Sequence, residues 1–70
     1  MENIMSQVLI HCQPSLYDDV LTNQLNYEWS RQFGQEELDV IVDNIDALDD
    51  EDLCKQYGLD YDQVNCIELV

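Results

Sequence analysis

Basic residues are almost absent from this chain of 70 residues. Arg31 and Lys55 are the two positively charged side chains, and they face sixteen Asp and Glu residues, which gives a formal net charge of -14. A protein that binds nucleic acid directly must neutralise phosphates with Lys and Arg, and attraction to an anionic membrane needs a basic patch. The sequence therefore predicts that the chain binds neither nucleic acid nor a membrane directly, and that its partner is positively charged.

Long apolar runs, a secretion signal and a disulfide framework are also missing. No segment reaches the roughly 20 apolar residues that span a bilayer, and the start, MENIMSQVLIHC, carries Glu2 in place of the basic residues of a signal peptide. Small secreted domains carry paired cysteines, whereas this chain has an odd set, Cys12, Cys54 and Cys66. The interpretation is a cytoplasmic protein with three free thiols.

The size and composition that remain are those of one small globular domain, residues 1–70. Apolar residues make up 46% of the chain, while Pro occurs once and Gly twice, which excludes a linker or a low-complexity segment. A domain this small buries only about 60% of the surface of its unfolded chain. Its thin core leaves little room for a cleft that excludes water.

Apolar residues at a spacing of four predict a first helix over residues 15–33. Ser15 suits the N-cap of this helix, and Gly34 suits its C-terminal stop. The stripe between them consists of Leu21, Leu25, Trp29 and Phe33. Residues at i and i+4 share one face of a helix, so this stripe is expected to belong to the core.

Three further helices are predicted in the second half of the chain. Residues 35–48 form the second, whose apolar face would carry Leu38, Ile41, Ile45 and Leu48. A short third helix covers 51–57 and ends at Gly58, and a fourth covers 61–69. The predicted fold is therefore an all-α domain of three to four helices.

The two ends of the chain leave one alternative fold open. Val8, Ile10 and Cys12 alternate as they would in a strand, yet Ile4, Val8 and Cys12 also fit one helical face. Periodicity does not decide between these readings. The alternative is an α+β domain in which residues 5–12 and 65–70 form a two-stranded sheet.

Acidic side chains are concentrated between residues 36 and 62. Along the predicted second helix and just beyond it, five of them step by three or four residues: Glu36, Asp39, Asp43, Asp46 and Asp50. With a rise of about 1.5 Å per residue, this row is about 20 Å long and resembles phosphates along a nucleic-acid strand in its spacing. A plain solvated helix face is the competing interpretation. The predicted partner-binding residues are Glu36, Asp39, Asp43, Asp46, Asp49, Asp50, Glu51, Asp52, Asp60 and Asp62.

In size, net charge and acidic helical stripe, residues 36–62 resemble a known group of inhibitors. These are small acidic proteins of phages and mobile elements, among them anti-CRISPR and anti-restriction proteins, which mimic DNA. The resemblance is one of composition and transfers no residue role. It implies a non-enzymatic inhibitor in the host cytoplasm that occupies the cationic channel of a nucleic-acid-binding defence protein. The alternative function is a small adaptor that docks through an apolar surface around Leu59, Tyr61, Val64 and Leu69.

Residue types that carry chemistry are present without the spacing that chemistry needs. Adjacent residues such as His11 and Cys12 point apart on a strand and diverge on a helix, and no second pair stands at zinc-ligand spacing. The acidic run Asp49–Asp52 suggests a cation site at first, but Asp60-x-Asp62 lacks the Gly and the following ligands of a calcium-binding loop. The sequence therefore predicts no catalytic residues, no metal site and no cofactor.

Overall fold

A computed structural model describes residues 7–69, which form a four-stranded antiparallel sheet with two short helices. The strands are β1 (Gln7–Cys12), β2 (Asn26–Gln32), β3 (Gln35–Asp43) and β4 (Val64–Leu69), and the helices are α1 (Tyr17–Thr22) and α2 (Asp50–Gln56). Single 3₁₀ turns, Pro14–Leu16 and Tyr61–Gln63, precede α1 and β4. Among these residues, no helix has both the length and the apolar character needed to cross a membrane.

The strand order is β2-β3-β1-β4, so β1 and β3 are central and β2 and β4 form the edges. The register places His11 of β1 opposite Asp39 of β3 and opposite Cys66 of β4. The ladder between β1 and β4 advances from Cys66 to Val64 over a single step of β1, which makes Asn65 the extra residue of a β-bulge.

The two faces of the sheet differ because side chains alternate along each strand. One face carries the core residues Val8, Ile10, Cys12, Leu38, Val40 and Val42, and it packs against Leu16, Val20, Leu53, Cys54 and Leu59 from the helices and turns. The other, here called the open face, carries Leu9 and His11 of β1 together with Glu37, Asp39 and Ile41 of β3. Within residues 7–69 no helix covers it, because both helices contribute to the core on the opposite side.

The prediction of an all-α domain is wrong, and the second predicted helix shows why. Residues 35–48 contain β3, in which Leu38, Val40 and Val42 are buried and alternate with polar or half-buried residues. The β-branched run Val40-Ile41-Val42 favours a strand over a helix. The helical pattern was built on Ile41 and Ile45, yet Ile41 lies on the open face and Ile45 is exposed beyond the strand.

The first predicted helix, residues 15–33, is wrong beyond Thr22. Gln24 has a left-handed φ of 57°, and β2 follows, with aromatic Tyr27 and Trp29 alternating with polar residues. Tyr17 of α1 packs against both rings, at centroid distances of 5.5 and 5.4 Å. The period of two in β2 therefore outweighs the period of four. Of the predicted stripe, Leu21, Trp29 and Phe33 are exposed, and only Leu25 is not.

Phe33 and Gly34 form the tip of a β-hairpin in place of a helix end. Both residues have positive φ, 53° and 81°, and the flanking Gln32 and Gln35 are paired. Positive φ at both central positions is the geometry of a type I′ turn, whose twist matches that of its strands. The Phe33 side chain is fully exposed there, although it was predicted to be core.

The predicted fourth helix, residues 61–69, is also wrong, because only the turn Tyr61–Gln63 is helical and β4 follows. Strands β1 and β4 pair antiparallel, as the alternative fold proposed for residues 5–12 and 65–70. That alternative nevertheless lacked β2 and β3, which make up the other half of the sheet. Residues 5, 6 and 70 lie outside the described part of the chain.

The short helix α2 lies one residue earlier than predicted and ends in a Schellman motif. The Leu59 N–H donates to the Cys54 carbonyl at 2.8 Å, and the Gly58 N–H donates to the Lys55 carbonyl at 3.2 Å. This motif needs a left-handed residue, which Gly58 provides with φ 73°. It also turns Leu59 into the core, so Leu59 is unavailable to the apolar docking surface of the adaptor hypothesis.

Replacing Gly58 by Ala should destabilise the fold more than the same change at Gly34. Both positions have positive φ, which costs an L-residue about 1–2 kcal/mol. At Gly58 the new Cβ would also lie 2.7 Å from Asn23 Nδ2, and that amide donates to the Asp19 carbonyl at 2.8 Å. At Gly34 no atom lies within 4 Å. Urea unfolding of the two variants compares the losses, and equal losses would contradict this account.

Candidate functional site

Four of the predicted partner-binding residues lie at the start of α2, and a fifth, Asp46, lies in the turn before it. All five are exposed: Asp46, Asp49, Asp50, Glu51 and Asp52. Asp49 occupies the N-cap position, and the next three form the first helical turn. Carboxylates there interact favourably with the positive end of the helix dipole. These charges therefore have a local structural role in starting α2.

Two more of the predicted residues, Asp60 and Asp62, lie in the turn that leads into β4. The Asp60 carboxylate accepts a hydrogen bond from the Asp62 N–H at 3.1 Å and so caps the 3₁₀ turn. Both side chains are exposed. Asp60 thus caps a single turn, which is followed by a strand.

The predicted row of carboxylates does not exist, because residues 36–48 are not helical. Glu36 lies opposite Arg31 near the hairpin tip, on the face opposite to that of Asp39. Asp39 and Asp43 are on the open face, while Asp46 and Asp50 lie beyond the strand. The spacing that resembled phosphates depended on a helix, so the structural basis for DNA mimicry, and with it the anti-CRISPR and phage interpretation, is withdrawn.

The open face instead gathers three carboxylates around a buried histidine. His11 Nδ1 lies 2.8 Å from Asp39 Oδ1 and 3.4 Å from Glu37 Oε1. On the other side of the ring, His11 Nε2 lies 2.7 Å from Glu68 Oε1. His11 is 6% exposed and Asp39 8% exposed. Among residues 7–69, the ion pairs all involve His11.

These hydrogen bonds favour the charged form of the His11 ring. A carboxylate accepts a hydrogen bond from a ring N–H, so contacts on both nitrogens are best satisfied when both carry a proton. Burial by itself lowers the pKa of His11, but the hydrogen bonds to Glu68 and Asp39 and the charges of Asp39 and Glu37 outweigh it. The pKa of His11 is therefore raised above its ordinary value of 6.5.

The β-bulge at Asn65 holds Glu37 in this cluster. Asn65 Nδ2 donates to Glu37 Oε2 at 2.8 Å, and Gln13 Nε2 donates to Asn65 Oδ1 at 2.9 Å. The other oxygen, Glu37 Oε1, is buried and has no hydrogen-bond partner. A bulge commonly re-aims a side chain at a site, and here it leaves one carboxylate oxygen turned towards His11 Nδ1.

Further carboxylates extend the negative charge across the open face. Glu28 of β2 stands directly opposite Asp39, and Asp43 lies at the far end of β3, opposite Gln7. Like charges directly opposite each other destabilise a sheet. Sequence reasoning predicted Asp39 and Asp43 but missed His11, Glu28, Glu37 and Glu68. The sequence feature that could have indicated this site is the spacing of two between Glu37 and Asp39, which places both side chains on one face of a strand. His11 lies in a second segment with strand-like alternation.

The cluster is suited to binding a cation. His11 Nδ1, Glu37 and Asp39 offer ligand atoms that all lie within 4.8 Å of one another. Among the described residues, no hydroxyl or thiol is hydrogen-bonded to His11. No protein-family model, curated protein or solved structure matches this chain. What the site does is therefore inferred from its own charges, distances and burial.

The charge on His11 should make stability depend on pH, measured with a chelator present so that no metal ion competes for the ring. The folded pKa of His11 is raised. The stability that the charged ring contributes is therefore fully present below the unfolded pKa of about 6.5. That contribution is lost as the pH rises through the folded pKa. Urea unfolding across this range should show falling stability in the native chain and a flatter profile for His11→Gln. A native profile that rises with pH would refute the imidazolium.

The three thiols should differ in reactivity towards iodoacetamide. Cys12 and Cys54 are buried, and Cys66 is exposed. Burial, with the nearby Cys54, Asp39 and Glu37, raises the pKa of Cys12 to about 12. Burial and the charges of Glu37, Glu68 and Asp39 also raise the pKa of Cys66, so Cys66 should react alone in the folded protein, at a rate below that of a free thiol. Mass spectrometry of labelled peptides reads this out, with Cys66→Ser as the control, and native labelling of Cys12 would contradict the fold.

Proposed function

We propose that this domain is a non-enzymatic binding module whose open face docks a basic, Lys- and Arg-rich segment of a partner protein. The observation that carries the proposal is the set of carboxylates on an uncovered sheet face: Glu28, Glu37, Asp39, Asp43 and Glu68. One cation, His11, offsets them. The net charge of -14 gives the whole molecule a long-range attraction for such a partner.

The location of the charges favours the open face over the helical side as the docking surface. Asp18 and Asp19 lie in the first turn of α1, and Asp50, Glu51 and Asp52 lie in that of α2, where the helix dipole stabilises them. On the open face, Glu28 and Asp39 face each other as like charges, which weakens the sheet. Charge that lowers stability is expected where a partner compensates for it.

The open face also offers apolar surface between its charges. Leu9 and Ile41 are paired across β1 and β3 and are half-buried. Lys and Arg carry long apolar stems beneath their charged heads. A basic segment lying across the sheet would cover Leu9 and Ile41 with these stems while its heads meet Glu28 and Asp43.

One observation supports a binding role over catalysis, and another supports a reducing compartment such as the cytoplasm. Cys66, which lies opposite His11, has a raised pKa, whereas an activated nucleophile has a lowered one. The cysteines at 12, 54 and 66 are free thiols, as is usual where glutathione keeps proteins reduced.

Neutralising the open face should weaken binding to a labelled Lys- and Arg-rich peptide, which serves as the probe. The double variant Glu28→Gln/Asp43→Asn removes two exposed or half-buried charges of that face. Exposed ion pairs contribute about 0.2–1 kcal/mol each, so affinity should fall on the order of tenfold. Fluorescence anisotropy measures it, and added salt should weaken binding of the native chain.

A matched control has the same change in net charge on the helical side. Asp18→Asn/Asp19→Asn also removes two carboxylates, both exposed on α1, and should change affinity by no more than about twofold because of screening. Equal losses in the two double variants would show attraction to overall charge without a docking face. If the native chain does not bind the peptide at low salt, the docking proposal is wrong.

A further inference from the structure

Three potential metal ligands converge on the open face from two neighbouring strands. Glu37 and Asp39 are two residues apart on β3, so both point to the same face, and His11 is the cross-strand partner of Asp39. The ring nitrogen and the two carboxylates lie within 4.8 Å of one another. The His11 side chain is 8% exposed and the Asp39 side chain 11% exposed, so both are held away from water.

An unpartnered buried oxygen points to a missing ligand. Glu37 Oε1 has no hydrogen-bond partner, although almost none of its surface reaches solvent. An unsatisfied buried acceptor costs about 1–3 kcal/mol, and more when it is charged. Its distance from His11 Nδ1, 3.4 Å, exceeds that of a normal charge-assisted hydrogen bond, which is about 2.7–2.9 Å. This oxygen therefore has a long ion-pair contact with His11 and no hydrogen bond, which leaves it able to bind a further cation.

The residues that hydrogen-bond to these ligands are of the kind that orients the ligands of a metal site. Histidine ligands usually donate their second N–H to a carboxylate, which orients the ring, and His11 Nε2 has Glu68 at 2.7 Å in this role. The ligating carboxylates are normally hydrogen-bonded as well. Glu37 meets this requirement through Asn65, which holds its other oxygen.

We propose that His11 Nδ1, Glu37 Oε1 and Asp39 Oδ1 bind a divalent first-row transition-metal ion. Imidazole together with carboxylate favours such an ion over Mg²⁺ and Ca²⁺, which prefer all-oxygen sites. The ion takes the place of the proton on Nδ1, which is released to solvent, while Nε2 keeps its proton and its bond to Glu68. Glu37 and Asp39 belong to the proposed docking face as well, but Glu28 and Asp43, whose replacement tests docking, take no part in metal binding, so the two proposals are tested separately.

The separation of one pair of ligand atoms is close to that in a tetrahedral zinc site. Bonds of about 2.0–2.2 Å place neighbouring ligand atoms roughly 3.3 Å apart. The separation of His11 Nδ1 from Glu37 Oε1 is 3.4 Å, so this pair is already placed. The separation of His11 Nδ1 from Asp39 Oδ1 is 2.8 Å. This distance has to widen slightly as the metal ion replaces the hydrogen bond.

Zinc titration of the native chain tests the proposal. The titration is followed calorimetrically with a thiol-free reductant and an excess of Mg²⁺, which occupies weak sites on the acidic surface. We expect one Zn²⁺ per chain, lost in His11→Gln and in Glu37→Gln. Glu68→Ala should bind Zn²⁺ roughly 10–100-fold more weakly, as is usual when the group that orients a histidine ligand is removed.

Two controls separate this site from other sources of zinc affinity. Asp18→Asn/Asp19→Asn removes more charge than any of the single variants but touches no ligand, and it should keep the native affinity. Cys66→Ser should keep it too, because the exposed thiol is not a ligand. Equal weakening in the control and in His11→Gln, loss of binding in Cys66→Ser, or displacement of Zn²⁺ by Mg²⁺ would overturn the proposal.

A measurement on the unaltered protein covers the case in which His11→Gln fails to fold. Nitrogen NMR of the imidazole ring distinguishes Nδ1 from Nε2. Zinc should shift the His11 Nδ1 resonance and leave Nε2 protonated. An unchanged Nδ1 resonance at saturating zinc would overturn the proposal regardless of how the variants behave.

Discussion

The register that places His11 opposite Asp39 determines the position of every other group on the open face. It sets Glu37 beside the ring because residues two apart on β3 share a face. It also brings Glu68 to the far side of the ring, since β4 pairs with the other edge of β1. One buried cation thereby connects the two central strands to an edge strand. Without that cation, Asp39 of β3 and Glu68 of β4 would lose the side-chain hydrogen bonds that they make to the ring.

The carboxylates of this chain fall into two groups with different physical consequences. Those at the starts of α1 and α2, and at the turn before β4, are stabilised by helix dipoles or serve as caps. Those on the open face are crowded against one another and depend on His11, a partner or a metal ion for compensation. Composition alone gives the net charge, -14. It does not separate charges that stabilise the fold from charges available for binding.

The strands β2 and β3 were the part of the fold that the sequence predicted worst. Leu38, Ile41 and Ile45 match a helical period by position, but the alternating burial of Leu38, Val40 and Val42 decides the structure. Local signals at turns fared better, because they depend on one or two residues. Gly58 ends α2 as predicted, since its left-handed conformation needs no long-range contact. The hairpin tip at Phe33-Gly34 was misread because a positive φ at Phe33 is unusual for a bulky residue.

The candidate site could not be predicted from the sequence because its members are far apart in the chain. His11 and Glu68 are separated by 57 positions, and His11 and Asp39 by 28. Only strand pairing brings them together, and the pairing was unknown while residues 35–48 were assigned to a helix. Asp39 and Asp43 were predicted as members of a helical row of charges that does not form. Their roles differ, since Asp39 is buried against His11 and Asp43 lies half-buried at the end of β3.

The alternation of Glu37, Leu38, Asp39 and Val40 within β3 affects how reliably this chain finds its fold. A shift of β3 by one residue against β1 would turn Glu37 and Asp39 into the apolar layer and expose Leu38 and Val40 to water. Such a misaligned sheet would bury uncompensated charge, at a cost of several kcal/mol per group. The same carboxylates that crowd the open face therefore exclude competing alignments, which a small sheet with two unprotected edges would otherwise sample.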